Sequence, residues 1–248
     1  MSEKKSAGEG NKHEPKIYFL PNLFTAGNLF CGFLALHYVF QGSYVPAAWL
    51  IFLGAVLDKM DGQLARAIGR DSKFGIQFDS IVDVCTFGMV PAVLIYQTHL
   101  QTGWGLALAF LFLLSGAIRL ARFNTLSLEN DERGEFYMGL TIPISAICLT
   151  QYVVFINAWQ SPLATPLAAL LLLILAFLMV SRLDFDAIPN FRGTSFCDRF
   201  KQVYFVATTG LTIYDSIFFF PMTLTYIFSG VYRWIFRLFS SNEVTQHA

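Results

Sequence analysis

The sequence predicts an all-α, polytopic transmembrane helix bundle of about eight spans: a six-helix core followed by two C-terminal helices. Three observations predict it. The chain is 55% hydrophobic and only 14% charged, outside the range of ordinary soluble domains. Apolar stretches of roughly 20 residues, the length that crosses a bilayer as a helix, recur along almost its whole length. Threaded alternately through a membrane, they leave all 17 lysines and arginines on one side, a positive-inside pattern that puts both termini in the cytoplasm.

Residues 1–16 form a polar tail of Lys, Glu, Gly and Ser, expected to be flexible and cytoplasmic, without the ordered regions of a secretory signal. The expected spans are 21–41, 44–68, 76–98, 103–124, 139–158 and 163–181, with a weaker pair at 201–214 and 216–236. Connections at 41–44, 98–103 and 157–163 are short and uncharged, whereas the 66–75 turn and the 125–138 and 182–201 loops are charged. By domain, 17–182 reads as the core, 183–238 as a cytoplasmic loop with the C-terminal helices, and 239–248 as a second flexible tail. Losing either of the last two spans would put Arg233 and Arg237 outside. Tyr44, Trp49, Tyr96, Trp104, Trp159, Tyr204, Tyr232 and Trp234 fall near span ends, where aromatic belts form. Gly27, Gly32, Gly54, Gly62, Gly88, Gly105 and Gly116 allow helices to approach closely. Pro91 and Pro143 are expected at kinks or interruptions.

Within this apolar frame lies an unusual concentration of acid. Asp58, Asp61, Gly62, Ala65, Arg66, Gly75, Asp79 and Asp83 spell D-x2-D-G-x2-A-R-x8-G-x3-D-x3-D. A carboxylate at bilayer depth costs about 2.5–3.5 kcal/mol on insertion scales, so four together require cations, partners or water. Asp58 and Asp61 are three apart on the second span, and Asp79 and Asp83 four apart on the third. Each pair therefore shares a helix face, and the charged turn between the spans folds both pairs together at the cytoplasmic end. Oxygen ligands without His or Cys favour Mg²⁺ or Mn²⁺, or else Ca²⁺, over zinc or copper. Two ions could share the cluster, and Mg²⁺ typically joins carboxylates to substrate phosphates. Arg66, one turn after Asp61, suits a phosphate oxygen. Gly62 and Gly75 leave space for a flat ligand against the two helices. The depth is that of a lipid headgroup, so the pattern points to phosphoryl chemistry on a lipid-linked diphosphate. The bland alternative is that the acids pair with Arg66, Arg70 or Lys73 and only set packing.

Other chemistries have little support. Cys31, Cys85, Cys148 and Cys197 are scattered without a CxxC pair, and His13, His37, His99 and His247 are equally dispersed, against a zinc site, a disulfide framework or a histidine-ligated centre. Net charge is zero, and no basic face suggests nucleic acid.

The stretch from Asp58 to Asp83 resembles the complete signature of the CDP-alcohol phosphatidyltransferases, with every position filled. The resemblance covers roughly residues 17–182. It is strongest to the membrane-integral phosphatidylserine synthase group of bacteria and archaea, through LPNLFTAGNLFCGFLA at 20–35, FGIQFDSIVDVCTFGMVPA at 74–92, GAIRLARFN at 116–124 and GLTIP at 139–143. It implies attack of the L-serine hydroxyl on the β-phosphorus of CDP-diacylglycerol, giving phosphatidylserine and CMP. It also implies Asp58, Asp61 and Asp79 as metal ligands, with Asp83 shared between metal and general base. By the same resemblance, Gly62, Ala65 and Gly75 line the cytidine and ribose site, Arg66 meets the diphosphate, and Asn22 and Thr25 lie on the cytidine side. A homodimer in the cytoplasmic (inner) membrane, with its active site facing the cytoplasm, belongs to the same expectation.

Arg119 and Arg122, three apart near the cytoplasmic end of the fourth span with Asn124 beyond, suit an acceptor carboxylate. Positive-inside anchoring explains them equally, and spacing does not say which one faces the site. Asn22, Thr25 and Asn28 lie at helical spacing on the first span and could instead cap the helix or bond neighbouring spans. Asp184 and Asp186 are expected in a solvated loop. Rival functions are a relative using glycerol 3-phosphate, an inositol phosphate or another alcohol, and, more remotely, a cation channel or transporter.

Overall fold

The computed structural model describes residues 19–68, 73–129, 137–159, 161–181, 183–185, 220–221 and 223–232. The expected tails, the span at 201–214 and nearly all of the 182–201 loop lie outside the described residues. So do the side chains of Arg66 and Trp159.

The described chain is almost entirely helical. Its elements are α1 (Phe19–Phe40), α2 (Tyr44–Ile68), α3 (Lys73–Asp83), a π-helical segment (Val84–Met89), α4 (Val90–His99), α5 (Gly103–Glu129), α6 (Ile142–Trp159) and α7 (Ala164–Val180). A two-residue antiparallel pair, β1 (Tyr137–Met138) and β2 (Asp184–Phe185), is the only strand pairing among them. Residues 220–221 and 223–232 are also helical, within the expected last span.

Among the described residues, three stretches are long and apolar enough to cross a membrane: Pro21–Phe40, Phe74–His99 and Gly103–Thr125. Ile142–Asn157 and Ala164–Val180 are shorter apolar helices. The 25 residues of α2 reach about 37 Å at 1.5 Å per residue, but Asp58, Lys59, Asp61 and Arg66 dilute their hydropathy.

The expected 76–98 span is one rod built from α3, the π segment and α4. Pro91 lies in the first turn of α4, just after the wider π turns, where its missing N–H is absorbed at an interruption. Pro143 also opens a helix: α6 starts at Ile142, so the proline sits where the first N–H groups have no helical partner and bends nothing mid-span. The charged connection expected from 125 begins later, because α5 continues to Glu129. Asp184 is not wholly in a loop, since its backbone pairs with Met138. Beside that pair, Gly139 has φ +78°, and a Cβ there would strike the Met179 carbonyl. Its N–H donates to the Leu183 carbonyl at 2.9 Å, and that of Leu140 to the Leu178 carbonyl at 3.0 Å. These bonds lock the start of α6 to the end of α7.

The core runs through the bundle centre, with Phe87, Phe112, Leu140, Ile142, Leu149, Leu172, Leu175 and Met179 fully buried. Phe220 and Ile227 join it. Apolar side chains such as Phe33, Phe110, Phe177 and Trp104 point outward, as expected where the surrounding medium is lipid. The most extensive helix pairing is α1 with α2, and that pair forms one wall of the acidic cluster.

Candidate metal and catalytic site

Helical spacing on α2 and α3 delivers the acids to one place. Carboxylate oxygens of Asp58, Asp61 and Asp79 lie within 4.8 Å of one another. Asp83, one turn further along, meets Asp58 in a side-chain hydrogen bond. At this separation each pair of unit charges repels by about 3–4 kcal/mol at an effective dielectric near 20. Two carboxylates can hold such contact only with positive charge or a proton between them. The arrangement therefore suits a bound cation.

The four acids differ in surroundings. Asp61 and Asp83 are buried, whereas Asp58 and Asp79 are half-buried. Asp61 accepts a 2.8 Å hydrogen bond from the Thr25 hydroxyl and another from the Gly62 backbone. Asp83 receives the Asn28 amide at 3.4 Å. Among the described residues, the buried Oδ1 of Asp79 has no hydrogen-bond partner. A buried carboxylate oxygen without a donor is costly, and one on a member of such a cluster has the character of an open ligand position. All-oxygen donors, one of them unengaged, fit a hard divalent cation such as Mg²⁺ or Mn²⁺.

The two arginines of α5 separate clearly. Arg119 is buried at 7% exposure and lies close enough to Asp58 for direct electrostatic attraction. Arg122 turns to the end of α7, donating to the Val180 carbonyl at 3.2 Å and the Ser181 carbonyl at 3.3 Å. It acts as a C-cap for a neighbouring helix. The spacing that left both candidates open thus resolves to one inward-facing guanidinium. Asn124 donates to the Ser80 hydroxyl at 2.8 Å, and Ser80 in turn to the Ile76 carbonyl at 3.0 Å. This chain ties α5 to the turn of α3 that carries Asp79.

Gly62, Ala65 and Gly75 are all half-buried beside the acids, on the helices that carry them. Asn22 lies one turn before Thr25 and is also half-buried. The hydroxyl of Thr25, expected on the cytidine side, is directed at Asp61 and also reaches the Pro21 carbonyl at 3.2 Å. Sequence reading did not single out Ser80 or Thr86. Neither has a spacing signal, since the contacts that tie them to the site, Asn124 to Ser80 and Thr86 to Asn28, run between helices.

The family model for CDP-alcohol phosphatidyltransferase matches residues 18–214. Among curated relatives, a CDP-diacylglycerol–serine O-phosphatidyltransferase of Helicobacter pylori strain J99 is 32% identical over 235 residues, covering 90% of this chain and 93% of its own. The Bacillus subtilis strain 168 protein of that name is 33% identical over 176 residues, or 70% and 92% of the two chains. An archaetidylserine synthase of Methanothermobacter thermautotrophicus is 31% identical over 174 residues, covering 69% and 71%.

Proposed function

Because the chain belongs to the CDP-alcohol phosphatidyltransferase family, we propose that it transfers the phosphatidyl group of CDP-diacylglycerol to the hydroxyl of L-serine, forming phosphatidylserine and CMP. The observation that carries the reading is the convergence of Asp58, Asp61 and Asp79 within 4.8 Å, with Asp83 against them. The relatives' names support serine as acceptor, and so does the buried Arg119, whose fork suits the carboxylate of an amino acid.

Asp58, Asp61 and Asp79, with a share from Asp83, would hold one or two divalent cations. When bound there, the metal neutralises the diphosphate and the charge of the departing phosphate. Gly62, Ala65 and Gly75 leave a flat surface for cytidine and ribose, Arg66 serves the diphosphate, and Asn22 borders the nucleotide. Thr25 acts through Asp61, whose orientation its hydroxyl holds. Arg119 orients the acceptor by its carboxylate. The serine oxygen attacks the phosphorus that bears the diacylglycerol, the bond from that phosphorus to the CMP oxygen breaks, and the hydroxyl proton passes to Asp83. A neutral hydroxyl needs such a base within hydrogen-bond reach. Diacylglycerol tails extending into lipid fit a site at the charged end of a multi-pass bundle. The reading includes eight spans, a core at 17–182 followed by C-terminal helices within 183–238, and cytoplasmic termini. It also places a homodimer in the inner membrane with the site facing the cytoplasm. Accessibility labelling of cysteines introduced in each tail tests that topology.

The deciding experiment gives the purified protein CDP-diacylglycerol with labelled serine or labelled glycerol 3-phosphate and follows CMP release. Phosphatidylserine is the expected product. Product from glycerol 3-phosphate and none from serine would reassign the acceptor while leaving the family chemistry intact.

A further inference from the structure

We propose that Asn28 is a positioning residue for Asp83, and that Gly54 and Thr86 hold its amide in place. The proposal rests on the base role of Asp83 given above. Asn28 is fully buried on α1, one turn beyond Thr25. Its side-chain Nδ2 lies 3.4 Å from Asp83 Oδ1, at the long end of hydrogen-bonding range. Its backbone carbonyl accepts the Thr86 hydroxyl at 3.3 Å. Thr86 is itself fully buried and three residues after Asp83. Asn28 is therefore joined twice to the segment that carries Asp83.

Close backbone approach makes room for this arrangement. A Cβ on Gly54 of α2 would stand 2.8 Å from Asn28 Oδ1 and 3.3 Å from Thr86 Cγ2. A Cβ on Gly32 of α1 would stand 2.6 Å from the Thr86 hydroxyl. Two glycines on two helices thus leave space for the same Asn28–Thr86 pair. Packing alone does not explain the asparagine, because its Oδ1 is buried without a hydrogen-bond partner among the described residues, and an apolar side chain would avoid that penalty. What the amide contributes is a hydrogen-bond donor to a buried carboxylate whose other described neighbours, Asp58, Asp79 and Asp61, are all like-charged. A base held from one side keeps a fixed direction toward the hydroxyl it must deprotonate, and misplacement near 1 Å can cost a hundredfold in rate.

The test uses full-length protein in mixed micelles, with CMP release, both KM values, CDP-diacylglycerol binding and thermal stability measured for each variant. Asn28→Ala and Gly54→Ala should each lower kcat about ten- to a hundredfold, with both KM values within about twofold. The Asn28→Ala/Gly54→Ala double variant should fall no further than the worse single, because Gly54 acts through Asn28. Thr86→Val should give a smaller loss of the same kind. Gly27→Ala, whose Cβ would meet only the flexible Leu57 side chain at 3.3 Å, should keep wild-type turnover. Wild-type kcat in Asn28→Ala, or multiplicative losses in the double variant, would overturn the proposal. Should Asn28→Ala not fold, Gly54→Ala and Thr86→Val decide, and wild-type kcat in both would likewise overturn it. Asp83→Asn separates the two levels: if it retains turnover, the base reading falls, whereas its inactivity beside an active Asn28→Ala removes only the positioning role.

Discussion

The two walls of the aspartate cluster are built from different materials. On the α1 side, polar groups reach the carboxylates directly: Thr25 to Asp61 at 2.8 Å and Asn28 to Asp83 at 3.4 Å. On the α5 side Asn124 reaches the acid-bearing helix only through Ser80, and further along the helix the packing is apolar, with Phe112 buried and Gly116 leaving room for Ile142. Arg119 is the charged group that this wall turns toward Asp58. The first wall orients acids, while the second closes the bundle and supplies positive charge. Changes on the α1 side should therefore alter turnover with little effect on stability. Those on the α5 side should divide between acceptor recognition and packing.

The sharpest attempt to break that contrast removes the acids that both walls serve. Asp58→Asn, Asp61→Asn and Asp79→Asn should each lower CMP release by roughly a thousandfold or more, as for groups acting as one catalytic unit. Melting temperature in detergent should hold or rise, because mutual repulsion is relieved. Chelation should abolish wild-type activity, and added Mg²⁺ or Mn²⁺ should restore it. A large loss of stability in these variants would mean that the acids chiefly serve packing.

Arg119→Lys exchanges a planar fork for a point charge. The expected result is a rise of about ten- to thirtyfold in the acceptor KM, equivalent to about 1.5–2 kcal/mol, with the CDP-diacylglycerol KM nearly unchanged. An equal rise in both would shift Arg119 to the diphosphate.

Thr25→Val keeps the shape and deletes the donor to Asp61. Metal affinity, read as the Mg²⁺ concentration for half-maximal activity, should weaken by about tenfold, while the melting temperature stays within a few degrees. An effect confined to the CDP-diacylglycerol KM would return Thr25 to the nucleotide.

Arg122→Gln should have the smallest effect. Its two bonds to the end of α7 are partly exposed, so the loss in stability is about 1 kcal/mol or less, with acceptor KM unchanged. A raised acceptor KM would show that both arginines serve the site and that the α5 wall is less simply divided.

Much of this is legible in the sequence. Apolar length located α1, α2 and α5 to α7 within a few residues, since a bilayer-sized helix must satisfy its own backbone. Spacings of three and four residues put each pair of aspartates on a common face, and the short charged stretch between two spans implied that the pairs meet. The π segment at Val84–Met89 was not legible, although Pro91 marked an interruption, because the register of backbone hydrogen bonds leaves no periodic signature over six residues. The expected span at 201–214 lies outside the described residues.

By itself, then, the sequence determined a helical bundle, a cluster of carboxylates on two successive spans that suits a hard cation, and the family, because these depend on composition and spacing within single helices. Tertiary structure decided which arginine faces the acids, that Thr25 and Asn28 tie two carboxylates to α1, and that Asp79 keeps an unengaged oxygen. Those outcomes depend on the rotation of each helix about its axis and on how closely neighbouring backbones approach. Spacing along one helix cannot specify either, because both are set where Gly32, Gly54 and Gly116 let the helices meet.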